Sequence, residues 1–101
     1  MQIEIATSFV RRLRGLMFQK DVKTNYGLLF PNSNRVHSCF MLDEITVVYL
    51  DENFNVLDLE ILKPWKLGKK VKNTKHVLEM NKVEYENILD KKKVSIKWRD
   101  R

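Results

Sequence analysis

The chain has a single cysteine, Cys39, among 101 residues. An intramolecular disulfide is therefore impossible, and a zinc site built on cysteines is nearly so. Glycine is also scarce: Gly15, Gly27 and Gly68 are too few for a Gly-rich loop that cradles a phosphate. No stretch approaches the ~18 consecutive apolar residues that a membrane helix needs. The first residues, Met1 to Ala6, show no basic region followed by an apolar run, so no signal peptide is expected. These absences point to a protein with no membrane span in a reducing compartment, with the cytoplasm as the expected location. The length fits one domain over residues 1–101, with one modest core.

Charge is lacking in blocks. From Val36 to Leu62 there is no Lys or Arg, but there are six acids: Asp43, Glu44, Asp51, Glu52, Asp58 and Glu60. From Lys63 to Lys75 the pattern inverts, with six lysines (63, 66, 69, 70, 72 and 75) and no acid. The tail from Lys91 to Arg101 carries six more bases against Asp100. The net charge of +6 is thus concentrated in two segments that would make a basic patch if they met in space.

What is present is a series of short periodic runs. Ile3 and Ile5 alternate with Gln2 and Glu4, as on a strand. Phe9, Leu13, Leu16 and Met17 lie on one face of a helix that Thr7 or Ser8 can cap and Gly15 can end. Tyr26 to Phe30 is an apolar run closed by the turn residues Pro31-Asn32-Ser33-Asn34. Val36 to Met41 reads as a strand. Ile45 to Leu50 is apolar on both faces apart from Thr46, which predicts a central strand covered on both sides. Leu57, Leu59 and Ile61 alternate with Asp58 and Glu60, the pattern of a half-exposed strand, so residues 45–62 predict a hairpin. His76 to Met80 makes another strand, Tyr85, Ile88 and Leu89 a second short helix, and Val94, Ile96 and Trp98 a last strand. Hairpins outnumber βαβ units. The fold class expected is α+β, mostly antiparallel β, a compact sheet or small barrel-like domain with two short helices.

Four segments, in order, resemble the DUF192 (UPF0127) family. They are Arg12-Leu13-Arg14-Gly15-Leu16-Met17, then Tyr26-Gly27-Leu28-Leu29-Phe30, then His37-Ser38-Cys39-Phe40-Met41 running on to Val47-Val48-Tyr49-Leu50-Asp51, and finally Leu62-Lys63-Pro64-Trp65-Lys66 with Val77-Leu78-Glu79. The resemblance covers residues 3 to about 90 and implies a compact, mostly β domain with short helices. It carries no general biochemical activity. Leu42 stands where the family has a base, Thr46 where it has Asp, and Asn81-Lys82-Val83 where it has Pro-Ala-Gly.

Within this frame Arg14, His37, Trp65 and Glu79 are the candidate ligand-binding residues. Arg12 and Arg14 can clamp an anion through paired guanidinium hydrogen bonds; their structural alternative is to complement a helix end or pair with Glu79. His37 and Cys39 share a strand face, but a metal needs three or four ligands and only His76 and nearby acids are left to complete a set. A hydrogen-bonded His37 and a packed Cys39 satisfy the same pattern, so no metal is assigned. Trp65, between Lys63 and Lys66, can stack a base while lysines meet phosphates, or it can anchor the loop to the core. The anion or nucleic-acid candidates are Lys63, Lys66, Lys69, Lys70, Lys72 and Lys75. Glu79 has no second carboxylate or nucleophile beside it in the pattern.

No motif asks for a cofactor, and no catalytic set is complete. The leading expectation is a non-enzymatic binding or accessory domain that holds a small anionic ligand or a protein segment. The alternatives are a nucleic-acid-associated protein using residues 63–75 and 91–101, and last a small enzyme working through His37 and an acid.

Overall fold

The structure is a computed structural model that describes residues 2–6, 26–36 and 42–89. Five strands form one sheet: β1 (Gln2–Ile5), β2 (Tyr26–Phe30), β3 (Ile45–Leu50), β4 (Val56–Leu62) and β5 (His76–Asn81). One helix, α1 (Glu84–Leu89), follows. The strand order is β1-β2-β5-β3-β4. β1 runs parallel to β2 and the other pairings are antiparallel.

Three of the four strand pairings are antiparallel, in line with the expected mostly antiparallel sheet, and the structure corrects the finer expectation in three ways. The sheet is mixed, because β1 joins β2 in parallel. It is open rather than barrel-like among the described residues, with β1 and β4 at its edges. Two short helices are not borne out: α1 is the one helix among the described residues. The predicted helix from Phe9 to Met17, the strand at 94–98 and all but Val36 of the strand at 36–41 lie outside them. Val36 itself is buried but irregular. The β3–β4 hairpin forms as predicted, closed by Asp51, whose Oδ1 accepts the Asn53 and Asn55 N–H groups at 2.9 Å each.

Every residue of β3 is buried, as its unbroken apolar run requires. The sheet separates two clusters. One holds Tyr26, Leu28, Phe30, Val36, Ile45, Val47, Tyr49, Leu62 and Val77. The other holds Ile3, Ile5, Leu29, Val48, Leu50, Leu78, Met80 and Ile88, the last delivered by α1. The expected helix stripe 85, 88 and 89 is only partly right. Ile88 is buried and Tyr85 half-buried, while Leu89 is exposed and Glu84 takes its place inside. Gly27 lies in β2 where an added Cβ would stand 2.9 Å from Leu78 Cδ1, so a larger residue there makes the leucine side chain shift.

Thr46 sits opposite Met80 and therefore faces the second cluster. Its hydroxyl is directed at the carbonyls of Asn81 and Lys82, 3.0 and 3.2 Å away. A hydroxyl can donate to these oxygens and an ionised carboxylate cannot. Threonine where the family resemblance leads one to expect Asp is thus a tie between β3 and the end of β5.

Candidate functional site

The acids of β4 do not simply face water. Asp58 is in register with Tyr49 and Glu60 with Val47, so both carboxylates share the sheet face of the first cluster and are half-buried there. Tyr49 is fully buried and donates its hydroxyl proton to Glu60 Oε2 at 2.5 Å. The same oxygen accepts the Lys69 backbone N–H at 2.9 Å. Lys69 Nζ lies 2.8 Å from Asp58 Oδ2. The Lys69 ammonium holds the Asp58 carboxyl below the usual carboxylate range, and Asp58 in turn raises the lysine. Burial first, and then the Glu60 carboxylate, pushes the Tyr49 phenol far above its ordinary value. Tyr49 therefore stays protonated and works as a fixed donor, not as a base or nucleophile.

This network fixes one end of the lysine-rich loop. Gly68 tucks beneath it: an added Cβ would lie 2.5 Å from the Tyr49 hydroxyl and 2.6 Å from Val36 Cγ1. The Gly68 N–H donates to Val36 O at 2.8 Å, and Arg35 Nη2 donates to Gly68 O at 3.3 Å. The other end is fixed where Ser33 N–H donates to Lys75 O at 2.9 Å and Lys75 N–H to Leu50 O at 2.7 Å. Three residue steps separate Ser33 from Val36, and seven separate Gly68 from Lys75. The longer side must bow outward between its two pins, and the bow encloses a cleft.

The cleft measures about 360 Å³ and is lined by Asn34, Arg35, Lys70, Val71, Lys72, Asn73 and Thr74. Val71 packs its side chain against the first cluster and keeps the bow from lifting away. Asn73 turns the chain at a φ of 71°, a left-handed conformation that Asn tolerates. Thr74 closes the turn by donating its hydroxyl to Val71 O at 2.8 Å. Three cations and no acid line this space. Like charges this close repel one another, and Arg35, Asn34, Asn73 and Thr74 add polar side chains to the lining.

Of the four predicted ligand-binding residues the structure describes two, Trp65 and Glu79. Arg14 and His37 lie outside the described residues, as do Cys39 and the basic tail at 91–101. Trp65 stands in the turn after β4 with 61% of its surface exposed. It does not anchor the loop in the core. Glu79 is buried at the centre of the sheet between Leu28 and Val47. Trp65 and Glu79 thus occupy opposite environments. The six candidate lysines divide as well. Lys70 and Lys72 line the cleft, Lys69 is engaged by Asp58, Lys75 contributes its backbone to the lower pin, and Lys63 and Lys66 flank Trp65. His76 stacks on Phe54 with ring centroids 4.6 Å apart and accepts the Asn32 N–H on Nδ1 at 3.2 Å. Burial and the adjacent Lys75 lower its affinity for a proton, against the pull of Asp51. Its Nδ1 is committed to the fold. No group of three His, Cys, Asp or Glu side chains placed to hold a metal occurs among the described residues.

Arg35, Tyr49 and Gly68 were missed by sequence reasoning. Tyr49 carried a signal: one phenol in an aliphatic central strand needs a partner, and the hairpin places an acid beside it.

A family model described as an uncharacterized ACR, DUF192, matches residues 1–96. The chain belongs to the DUF192 family. A UPF0127 protein of Pyrococcus horikoshii is 36% identical over 103 residues, covering 96% of this chain and 87% of that protein. Two crystal structures share the fold. A protein of unknown function from Novosphingobium aromaticivorans superposes with a TM-score of 0.77 at 17% identity, over 95% of this chain and 74% of the other. A Sinorhizobium meliloti protein provisionally described as a transcription regulator gives a TM-score of 0.71 at 15% identity, over 90% and 76%. No helix among the described residues is long and apolar enough to cross a membrane.

Proposed function

We propose that this DUF192 domain is a non-enzymatic binding module that holds a small anionic ligand in the cleft between Asn34–Arg35 and the Lys70–Thr74 turn. The observation that supports it is the unequal pinning of the two segments, which leaves a cavity lined by Arg35, Lys70 and Lys72 with no acid. A volume of about 360 Å³ suits a compact phosphorylated or carboxylated metabolite. Lys70 and Lys72 come from the anion candidates of the sequence, and Arg35 joins them. Tyr49 and Glu60 act as positioning residues, because they hold the loop without lining the cleft. A cytoplasmic setting belongs to the same proposal.

Isothermal titration with inorganic pyrophosphate tests the reading. Saturable binding is expected, and Lys70→Ala with Lys72→Ala should weaken it by about tenfold or more, the loss of two charge-assisted contacts. Absence of saturable binding at low ionic strength, or binding unchanged in the double variant, contradicts it.

A further inference from the structure

Immediately before the pinned segment, the same loop does something different. Trp65 and Leu67 are 61% and 65% exposed, the highest values among the exposed large apolar side chains of the described residues. Single exposed apolar residues are ordinary. Two of the largest, on either side of Lys66, are not. Trp65 also adopts a φ of 63°, which a bulky side chain enters at a cost. Lys63-Pro64-Trp65-Lys66 has the marks of a type II turn, in which glycine most easily fills the third place. The tryptophan at that place leaves most of its surface in solvent. Around it stand Lys63 and Lys66, and no acid occurs from residue 63 to 75.

We infer that the Trp65–Leu67 turn docks on the surface of an anionic lipid bilayer, with the indole and the leucine side chain entering the headgroup boundary and Lys63 and Lys66 facing lipid phosphates. Tryptophan favours that boundary because its ring is apolar while its N–H still finds a partner there. Lysines beside an inserted apolar pair add attraction to acidic headgroups and snorkel toward them. A nucleic-acid strand fits less well. Leu67 offers no π-face on which a base can stack, yet it is the more exposed of the pair. This surface is separate from the anion cleft, and the two proposals stand or fall independently.

The test uses the full chain with vesicles of phosphatidylglycerol and phosphatidylcholine in equal parts, and with pure phosphatidylcholine vesicles. The chain has two tryptophans, Trp65 and Trp98, so Trp98→Phe makes Trp65 the sole reporter. Anionic vesicles should shift its emission to the blue and carry the protein into the pellet; the neutral vesicles should do neither. Trp65→Ala with Leu67→Ala should weaken pelleting by about tenfold or more. Lys63→Ala or Lys66→Ala alone should weaken it about fivefold. If Trp98→Phe does not fold, pelleting of the Trp65→Ala/Leu67→Ala variant decides alone, since both side chains are exposed. Failure to pellet with anionic vesicles at low salt overturns the inference, and so does pelleting that the double variant leaves intact. A Trp65 emission change with single-stranded oligonucleotide but not with vesicles assigns the turn to nucleic acid instead.

Discussion

Residues 63–67 and 68–75 are consecutive parts of one lysine-rich loop, and they behave as different materials. The first part carries its apolar side chains outward and leaves its lysines on the surface. The second part is tied down at Gly68, Lys69, Val71 and Lys75 to β4, to Val36, to the core and to β3. Lysine content does not distinguish them. The difference comes from what lies opposite: a buried phenol, two half-buried carboxylates and a backbone stretch four steps shorter than the loop it restrains. Basic residues border a candidate site where the loop is pinned across the first cluster, and flank exposed apolar side chains where Trp65 and Leu67 stand in solvent.

The comparison breaks most sharply at Gly68. Gly68→Ala drives a Cβ into Tyr49 and Val36 and should lower unfolding free energy by about 1–3 kcal/mol, with loss of the upper pin. Leu67→Ala, one residue earlier and 65% exposed, should stay within about 0.5 kcal/mol. Denaturant melts of the two variants check this; equal losses would erase the distinction between the two parts.

Next in size is Glu60→Ala. It leaves the buried Tyr49 hydroxyl and the Lys69 N–H without their shared acceptor, at a cost of about 1–3 kcal/mol. Pyrophosphate affinity should fall as well, although Glu60 does not line the cleft. Glu60→Gln keeps an acceptor oxygen and should restore most of both. A loss of stability with affinity unchanged would show that the cleft does not depend on its upper pin.

A smaller effect separates the two parts by function. Arg35→Ala should weaken pyrophosphate binding several-fold, since a charged contact in a site this open contributes about 1 kcal/mol or less. The matching Lys63→Ala change in the exposed part should leave the same isotherm in place.

The smallest effect is a pH dependence at the lower end of the loop, where His76 receives the Asn32 N–H next to Lys75. Burial lowers its folded-state proton affinity from the ordinary value of 6.5. Above that pH both states are neutral and the contribution is complete. As pH falls through 6.5 the unfolded chain binds the proton first, and stability is lost down to the folded-state value. Thermal melts between pH 7 and pH 5 should show this decline, and His76→Asn, which keeps an acceptor but does not titrate, should flatten it. A decline that persists in His76→Asn belongs to other groups.

Local pattern foretold the sheet and said little about the cleft. The hairpin at 45–62, the strands at 2–5, 26–30 and 76–81 and the two-sided burial of β3 follow from periodicity and turn residues, because each depends on neighbours in sequence. The parallel β1–β2 pairing does not, since nothing in either strand encodes direction. The alternation of Asp58 and Glu60 with leucines was legible, but not which set met the core. The half-exposed pattern suits either face until Tyr49 is placed opposite Asp58. The cleft depends on contacts between residues more than thirty positions apart, Arg35 with Gly68 and Ser33 with Lys75, and no window of sequence contains both partners. Glu79 stood out as a polar residue in an apolar strand. Its place is in the sheet, buried between Val47 and Leu28.

The most direct measurement is amide chemical-shift mapping by NMR during titration of the full chain with inorganic pyrophosphate. The account predicts saturable shifts confined to Asn34, Arg35 and residues 70–74, with the amides of residues 63–67 unmoved. Shifts centred on Trp65 and Leu67, or none that saturate, would contradict a ligand cleft formed by the pinned part of the loop.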